Sequence, residues 1–118
     1  MADYFSSLSA TTEPLVSVCV TAYNHAPYIA QCLDSILAQE CDFGVEIVLG
    51  EDCSTDSTLE ICRSYEARYP DSIRVITSPE NVGMRANYRR VVEAARGKYI
   101  AFCDGDDYFL SVDKLRLQ

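Results

Sequence analysis

The sequence predicts an α/β fold, a mainly parallel sheet with helices on both faces, over residues 15–118. Short apolar runs alternate with segments of helical periodicity, as in strand–helix–strand crossovers. Three of the four apolar runs end abruptly in polar residues, and that is the edge at which an open parallel sheet binds ligands. The length, 118 residues, suits one domain, and 48% apolar with 24% charged residues is ordinary globular composition.

Residues 1–14 read as a flexible Ser/Thr-containing leader closed by Pro14. Leu15 to Val20 is a β-branched run of the kind found in strands covered on both faces, and it stops at Thr21-Ala22-Tyr23-Asn24. From Pro27, Ile29, Cys32, Leu33, Ile36 and Leu37 recur at helical spacing, with Asp34 and Gln39 on the other side. Val45 to Leu49 is a second strand, followed by the turn-forming run Gly50 to Asp56. There the next helix starts. Ser57 and Glu60 have capping-box spacing, Asp56 is an equally good cap, and Leu59, Cys62, Tyr65 and Tyr69 form its buried stripe up to Pro70.

Ile73 to Ile76 is a third strand, and Ser78 to Gly83 holds the proline, asparagine and glycine of a turn. In the helix that follows, Met84, Tyr88, Val91, Val92 and Ala95 share the expected core face, Arg89 and Arg90 belong to a solvated one, and Gly97 stands where a left-handed cap is wanted. The fourth strand, Tyr99 to Cys103, is apolar throughout and breaks off in Asp104-Gly105-Asp106-Asp107. Val112 to Gln118 has helix-forming residues but nothing to bury Leu115 and Leu117 against, so the sequence reads as cut short.

A formal charge of −8 repels nucleic acid and anionic membranes, so an anionic ligand would need a local metal ion, arginine or helix N-terminus. The six cysteines mostly lie in apolar runs and form no Cys-x-x-Cys pair, as expected of reduced thiols in a cytoplasmic protein. No signal peptide is expected at the start, and no apolar run approaches the length of a membrane span.

The predicted strand ends gather Glu51, Asp52, Asp104, Asp106 and Asp107 at one edge, a crowding that calls for a cation. Asp104 and Asp106 are two residues apart and so share a side of an extended segment, an oxygen-donor pair suited to Mg²⁺ or Mn²⁺. Tyr23 offers a ring on which a nucleobase could stack, and Asp52 an acceptor for a base N–H such as that of uracil. Thr21 and Asn24 stand between ligand contact and local turn formation. Arg85, in the first turn of the third helix, could pair with a phosphate, whereas His25 receives no role.

These residues, from Val16 to Asn24, Glu51 to Asp56, Asn81-Val82-Gly83 and Gly97 to Ile100 leading into Asp104-Gly105-Asp106-Asp107, make the sequence closely resemble family 2 glycosyltransferases of the GT-A fold. The resemblance runs from about Leu15 to the last residue. It implies a Rossmann-like nucleotide-binding half whose C-terminal acceptor half is missing. The activity implied is inverting transfer from a nucleotide-diphosphate sugar, often a UDP-sugar, to an acceptor hydroxyl with a divalent metal. Thr21 and Tyr23 match the family's base-contacting strand end, Asp52 the base-reading carboxylate, Asp104 the ribose and metal side of the DxD motif, and Asp106 its direct metal ligand. Glu51 replaces the more usual aspartate, and Cys53 stands where glycine is common.

The family's general base is expected beyond Gln118, so no catalytic residue is named and the chain alone is expected to be inactive. A glycan or lipid-linked acceptor, polysaccharide biosynthesis at the cytoplasmic membrane face and self-association through an uncovered apolar edge complete the expectations. A receiver-like Mg²⁺-binding domain is the alternative, but Thr21-Ala22-Tyr23-Asn24 lacks its acidic pair. A nucleotidyltransferase would need a glycine-rich phosphate loop after the first strand, which is absent from the sequence.

Overall fold

The computed structural model describes residues 14–39 and 44–104. Strand β1 (Val16–Ala22) is followed by α1 (Ile29–Leu37), β2 (Val45–Glu51), α2 (Thr58–Arg68), β3 (Ile73–Ile76), α3 (Met84–Ala94) and β4 (Tyr99–Asp104). All strand pairs are parallel, in the order β3-β2-β1-β4. The chain thus builds outward from β1 on one side and then returns to its other side. That reversal between β1 and β4 opens a crevice at their carboxyl ends.

Helices cover both faces, as expected. Val18, Val20, Ile47, Leu49 and Ile73 pack in one core with Ile29, Cys32, Leu33 and Ile36 of α1 and Cys62 and Tyr65 of α2. Each fully buried aliphatic side chain there contributes about 1.5–3 kcal/mol. The other face holds a smaller core of Cys19, Val48 and Val91 under α3, bordered by polar groups. In that border Glu46, 2% exposed, accepts from the Ser17 hydroxyl at 2.6 Å and the Arg96 amide at 2.6 Å, and pairs with Arg74 and Arg96 at 3.2 Å.

Several local expectations are corrected. The Ser57 side chain makes no capping bond. Asp56 instead accepts from the Thr58 amide at 2.9 Å, and from the Thr58 hydroxyl and the Ala26 amide, tying the start of α2 to the loop after β1. On α3 the buried residues are Asn87 and Val91, while Met84 is 76% exposed and Val92 lies at the surface. Gly50 explains the shift: it carries no Cβ, and one placed there would lie 2.4 Å from Val91 Cγ2 and 2.5 Å from Asn87 Oδ1. The helix settles close against β2, and Asn87 donates to the Gly50 carbonyl at 3.0 Å.

Arg90 is half-buried rather than solvated, donating to the Glu51 carbonyl at 2.8 Å, Asn87 Oδ1 at 2.9 Å and the Ser78 hydroxyl at 3.1 Å. Gly97 is not a left-handed cap, since α3 ends at Ala94 and Gly83 is the glycine with positive φ among the described residues. Close approach requires it instead: a Cβ at Gly97 would lie 2.6 Å from the Ser17 amide nitrogen. Strand β4 is an edge among the described residues, and although Cys103 is buried, Tyr99, Ile100 and Phe102 are exposed. The expected helix over Val112 to Gln118 lies outside the described residues.

Candidate functional site

The ends of β1 and β2 are joined by the Asp52 amide, which donates to the Ala22 carbonyl at 3.0 Å. Register pairs Thr21 with Asp104, so the backbone of Asp104 lies beside the end of β1 at the reversal of strand order. Thr21, Tyr23, Asp52 and Asp104 therefore converge on one edge, although they are far apart in the chain. Gly105, Asp106 and Asp107 lie outside the described residues.

Backbone and side-chain donors relieve the crowding of Glu51 and Asp52. Glu51 is fully buried and accepts from the Cys53 amide at 3.1 Å, the Ser54 amide at 2.8 Å and the Thr77 hydroxyl at 3.0 Å. The turn that aims those amides inward gives Cys53 a φ of 56°, a left-handed conformation that glycine adopts without cost. Asp52, 4% exposed, accepts from the Val82 amide at 2.7 Å on Oδ1, and from the Gly83 amide at 3.1 Å and Asn81 Nδ2 at 3.0 Å on Oδ2. It thereby fixes the turn that launches α3, in which Gly83 has a φ of 89°.

Asn24 sits in the loop after β1 with a φ of 55°, which asparagine tolerates, and its Oδ1 accepts from the Thr55 amide at 2.8 Å. Its amide donates to the Ser54 hydroxyl at 2.9 Å, so it braces the β1 loop against the β2 loop. Tyr23 is 45% exposed and borders a cleft of about 250 Å³ together with Thr21, Ala22, His25, Met84, Asn87 and Tyr88. Arg85 is exposed and lines a separate depression with Gly83, Met84 and Arg89. Among the described residues no three His, Cys, Asp or Glu side chains gather as metal ligands.

Sequence reasoning did not single out Met84, Asn87 and Tyr88 as cleft residues, and it gave His25 no part. The signal for Asn87 was a polar residue at a core position of the third helix, and Gly50 opposite it was the companion signal. Tyr88 meets Phe102 of β4 edge-on, with ring centroids 5.8 Å apart, and so closes the cleft toward that strand.

The family model for glycosyl transferase family 2 matches residues 17–116. The chain belongs to that family. The α/β architecture is that of GT-A glycosyltransferases. The family 2 chain is 42% identical over 104 residues to the uncharacterized glycosyltransferase EpsJ of Bacillus subtilis, covering 88% of this chain and 29% of EpsJ. Among solved structures, it superimposes on S. aureus TarS 1-349 in complex with UDP with a TM-score of 0.76 and 31% identity, covering 86% of this chain and 30% of the TarS 1-349 chain. The mannosyltransferase PcManGT from Pyrobaculum calidifontis, in complex with GDP-Man and Mn²⁺, gives a TM-score of 0.76 at 29% identity over 89% of this chain and 31% of its own. The family 2 chain thus spans about 30% of the length of EpsJ and of these two solved chains. Among the described residues no helix is long and apolar enough to cross a membrane.

Proposed function

We propose that this chain forms the donor-binding part of an inverting glycosyltransferase that passes a sugar from a nucleotide diphosphate, UDP by preference, to an acceptor hydroxyl. The observation that carries the reading is the convergence of Tyr23, Asp52 and the Asp104 backbone at the β1/β4 reversal. Tyr23 stacks on the base. A carboxylate has about four acceptor sites, and the contacts of Asp52 with Asn81, Val82 and Gly83 occupy three of them, leaving one on Oδ1 for a base N–H such as uracil N3–H. Glu51 and Asn24 act by holding the two loops in place, since their carboxylate and amide oxygens already accept from neighbouring residues. Thr21 flanks the base, and Arg85 stands by for phosphate.

Asp104 ends β4 at the crevice and Asp106 follows two residues on in the sequence, an oxygen-donor pair of the kind that suits Mg²⁺ or Mn²⁺. When bound, such an ion neutralises the diphosphate as charge develops on the leaving group. The UDP named for TarS and the GDP-Man and Mn²⁺ named for PcManGT support a nucleotide-sugar donor and a divalent ion. The acceptor is a glycan or lipid-linked hydroxyl in polysaccharide assembly at the cytoplasmic membrane face. No general base is assigned among the described residues, and the 118 residues alone are expected to bind donor without sustained transfer. Exposed Tyr99, Ile100 and Phe102 support self-association at high concentration, which sedimentation velocity reads.

The test is thermal unfolding with Mn²⁺ and UDP, GDP, dTDP or CDP, in the wild type, Asp106→Ala and Asp52→Asn. Saturation at about 100 times Kd stabilises by about 2.7 kcal/mol. The expected result is a metal-dependent rise with UDP that disappears in Asp106→Ala and shrinks in Asp52→Asn. No rise with any of the four nucleotides overturns the reading.

A further inference from the structure

Met84 combines an apolar side chain, 76% exposure and a place on the wall of the Tyr23 cleft. Its position is fixed from behind: Asp52 holds the Val82 and Gly83 amides, Gly83 turns with a φ of 89°, and α3 begins at the next residue. Tyr23 reaches the same cleft from the end of β1, so two exposed apolar groups border one slot from two elements. Met84 also borders the depression that contains Arg85 and Arg89, and so stands as a partition between the two. A planar heteroaromatic ring has two faces, and Tyr23 can cover one of them.

We infer that Met84 contacts the donor, closing the second face of the nucleobase against Tyr23. The inference rests on the donor-site reading and adds to it a residue that sets affinity. A thioether is polarisable, favours contact with aromatic rings and adapts through three rotatable bonds. Met84 therefore grips the base without reading its edge, while Asp52 reads the N–H.

The test uses the 118-residue chain, UDP with Mg²⁺, and the variants Met84→Ala and Met84→Leu. Met84→Ala should raise the dissociation constant about two- to tenfold by calorimetry. Met84→Leu restores most of the affinity, and neither variant changes the melting temperature without ligand, because the side chain is exposed. A second readout is peroxide footprinting: the sequence has two methionines, and sulfoxide formation at Met84 should slow several-fold with UDP while that at Met1 does not. An unchanged dissociation constant in Met84→Ala, or an unprotected Met84 in the UDP complex, overturns the inference and leaves the donor site standing. If the wild type binds no UDP, the donor-site reading fails and the inference falls with it.

Discussion

Replacing Gly50 with alanine is expected to loosen α3 from the sheet. The backbone of Gly50 cannot retreat, because register holds it between Thr21 of β1 and Ile76 of β3. The new methyl would sit 2.4 Å from Val91 Cγ2 and 2.5 Å from Asn87 Oδ1, where ordinary contact is about 3.5–4.0 Å. The helix must therefore move out by about 1 Å, straining the core under it and stretching the Asn87 bond to the Gly50 carbonyl. Overpacking at about 1–3 kcal/mol and a hydrogen bond at about 1 kcal/mol put the loss at about 2–4 kcal/mol. For a chain of this size that lowers the melting temperature by about 8–16 °C.

The assay is thermal and urea unfolding followed by circular dichroism, run as a double-mutant cycle with Val91→Ala. Val91→Ala alone removes two buried methyl groups and costs about 2 kcal/mol. In the Gly50→Ala background the shortened side chain makes room for the new methyl, so the two changes should couple by about 1 kcal/mol or more. Simple additivity, or a Gly50→Ala melting temperature within about 2 °C of the wild type, would refute the close-approach argument.

Burial by itself raises the Glu46 carboxyl, but the Ser17 hydroxyl, the Arg96 amide and the charges of Arg74 and Arg96 outweigh it and hold the group below its ordinary value of 4.5. Its contribution is then fully present above that value and is lost as pH falls through the lower folded one, so the stability gap between wild type and Glu46→Gln should narrow in acid; a gap constant from neutral pH into the acid limb counts against this. Burial pushes the thiols of Cys19 and Cys62 up to about 11 and about 12, with Glu46 and Glu51 adding to it respectively. Iodoacetamide on the native chain near pH 8 should therefore spare both and modify the partly exposed Cys53, and peptide mapping that finds Cys62 labelled as fast as Cys53 would contradict the burial.

Residues 73–76 form a strand with the same bounds that the apolar run predicts, because the run and the hydrogen-bonded ladder coincide there. Strands β1 and β2 continue two residues past the apolar runs, into Thr21-Ala22 and Gly50-Glu51, since backbone pairing does not require apolar side chains. The convergence of strand ends was legible for the same reason that the fold was: alternating elements place those ends together whatever their side chains do. What neighbouring elements decide was not legible. The buried face of α3 depends on Gly50 across the interface, and the saturation of Glu51 and Asp52 depends on amides of turns whose geometry the residues alone did not fix. The exposure of β4 depends on its place at the edge of the sheet that the described residues form, and an apolar composition alone reads as a buried strand.

The strand order also bears on how the crevice is assembled in time. Ser17 of β1 is 29 residues from Glu46 of β2 but 80 residues from Gly97, which leads into β4. Closing the longer loop costs about 0.9 kcal/mol more, so association of β1 with β2 has the kinetic advantage over its association with β4. A folding intermediate built on β1, β2 and β3 would hold the Tyr23 and Asp52 side of the crevice before Asp104 arrives. It would also leave the Val18-Cys19-Val20 edge of β1 unpaired, which makes the arrival of β4 the step most exposed to aggregation.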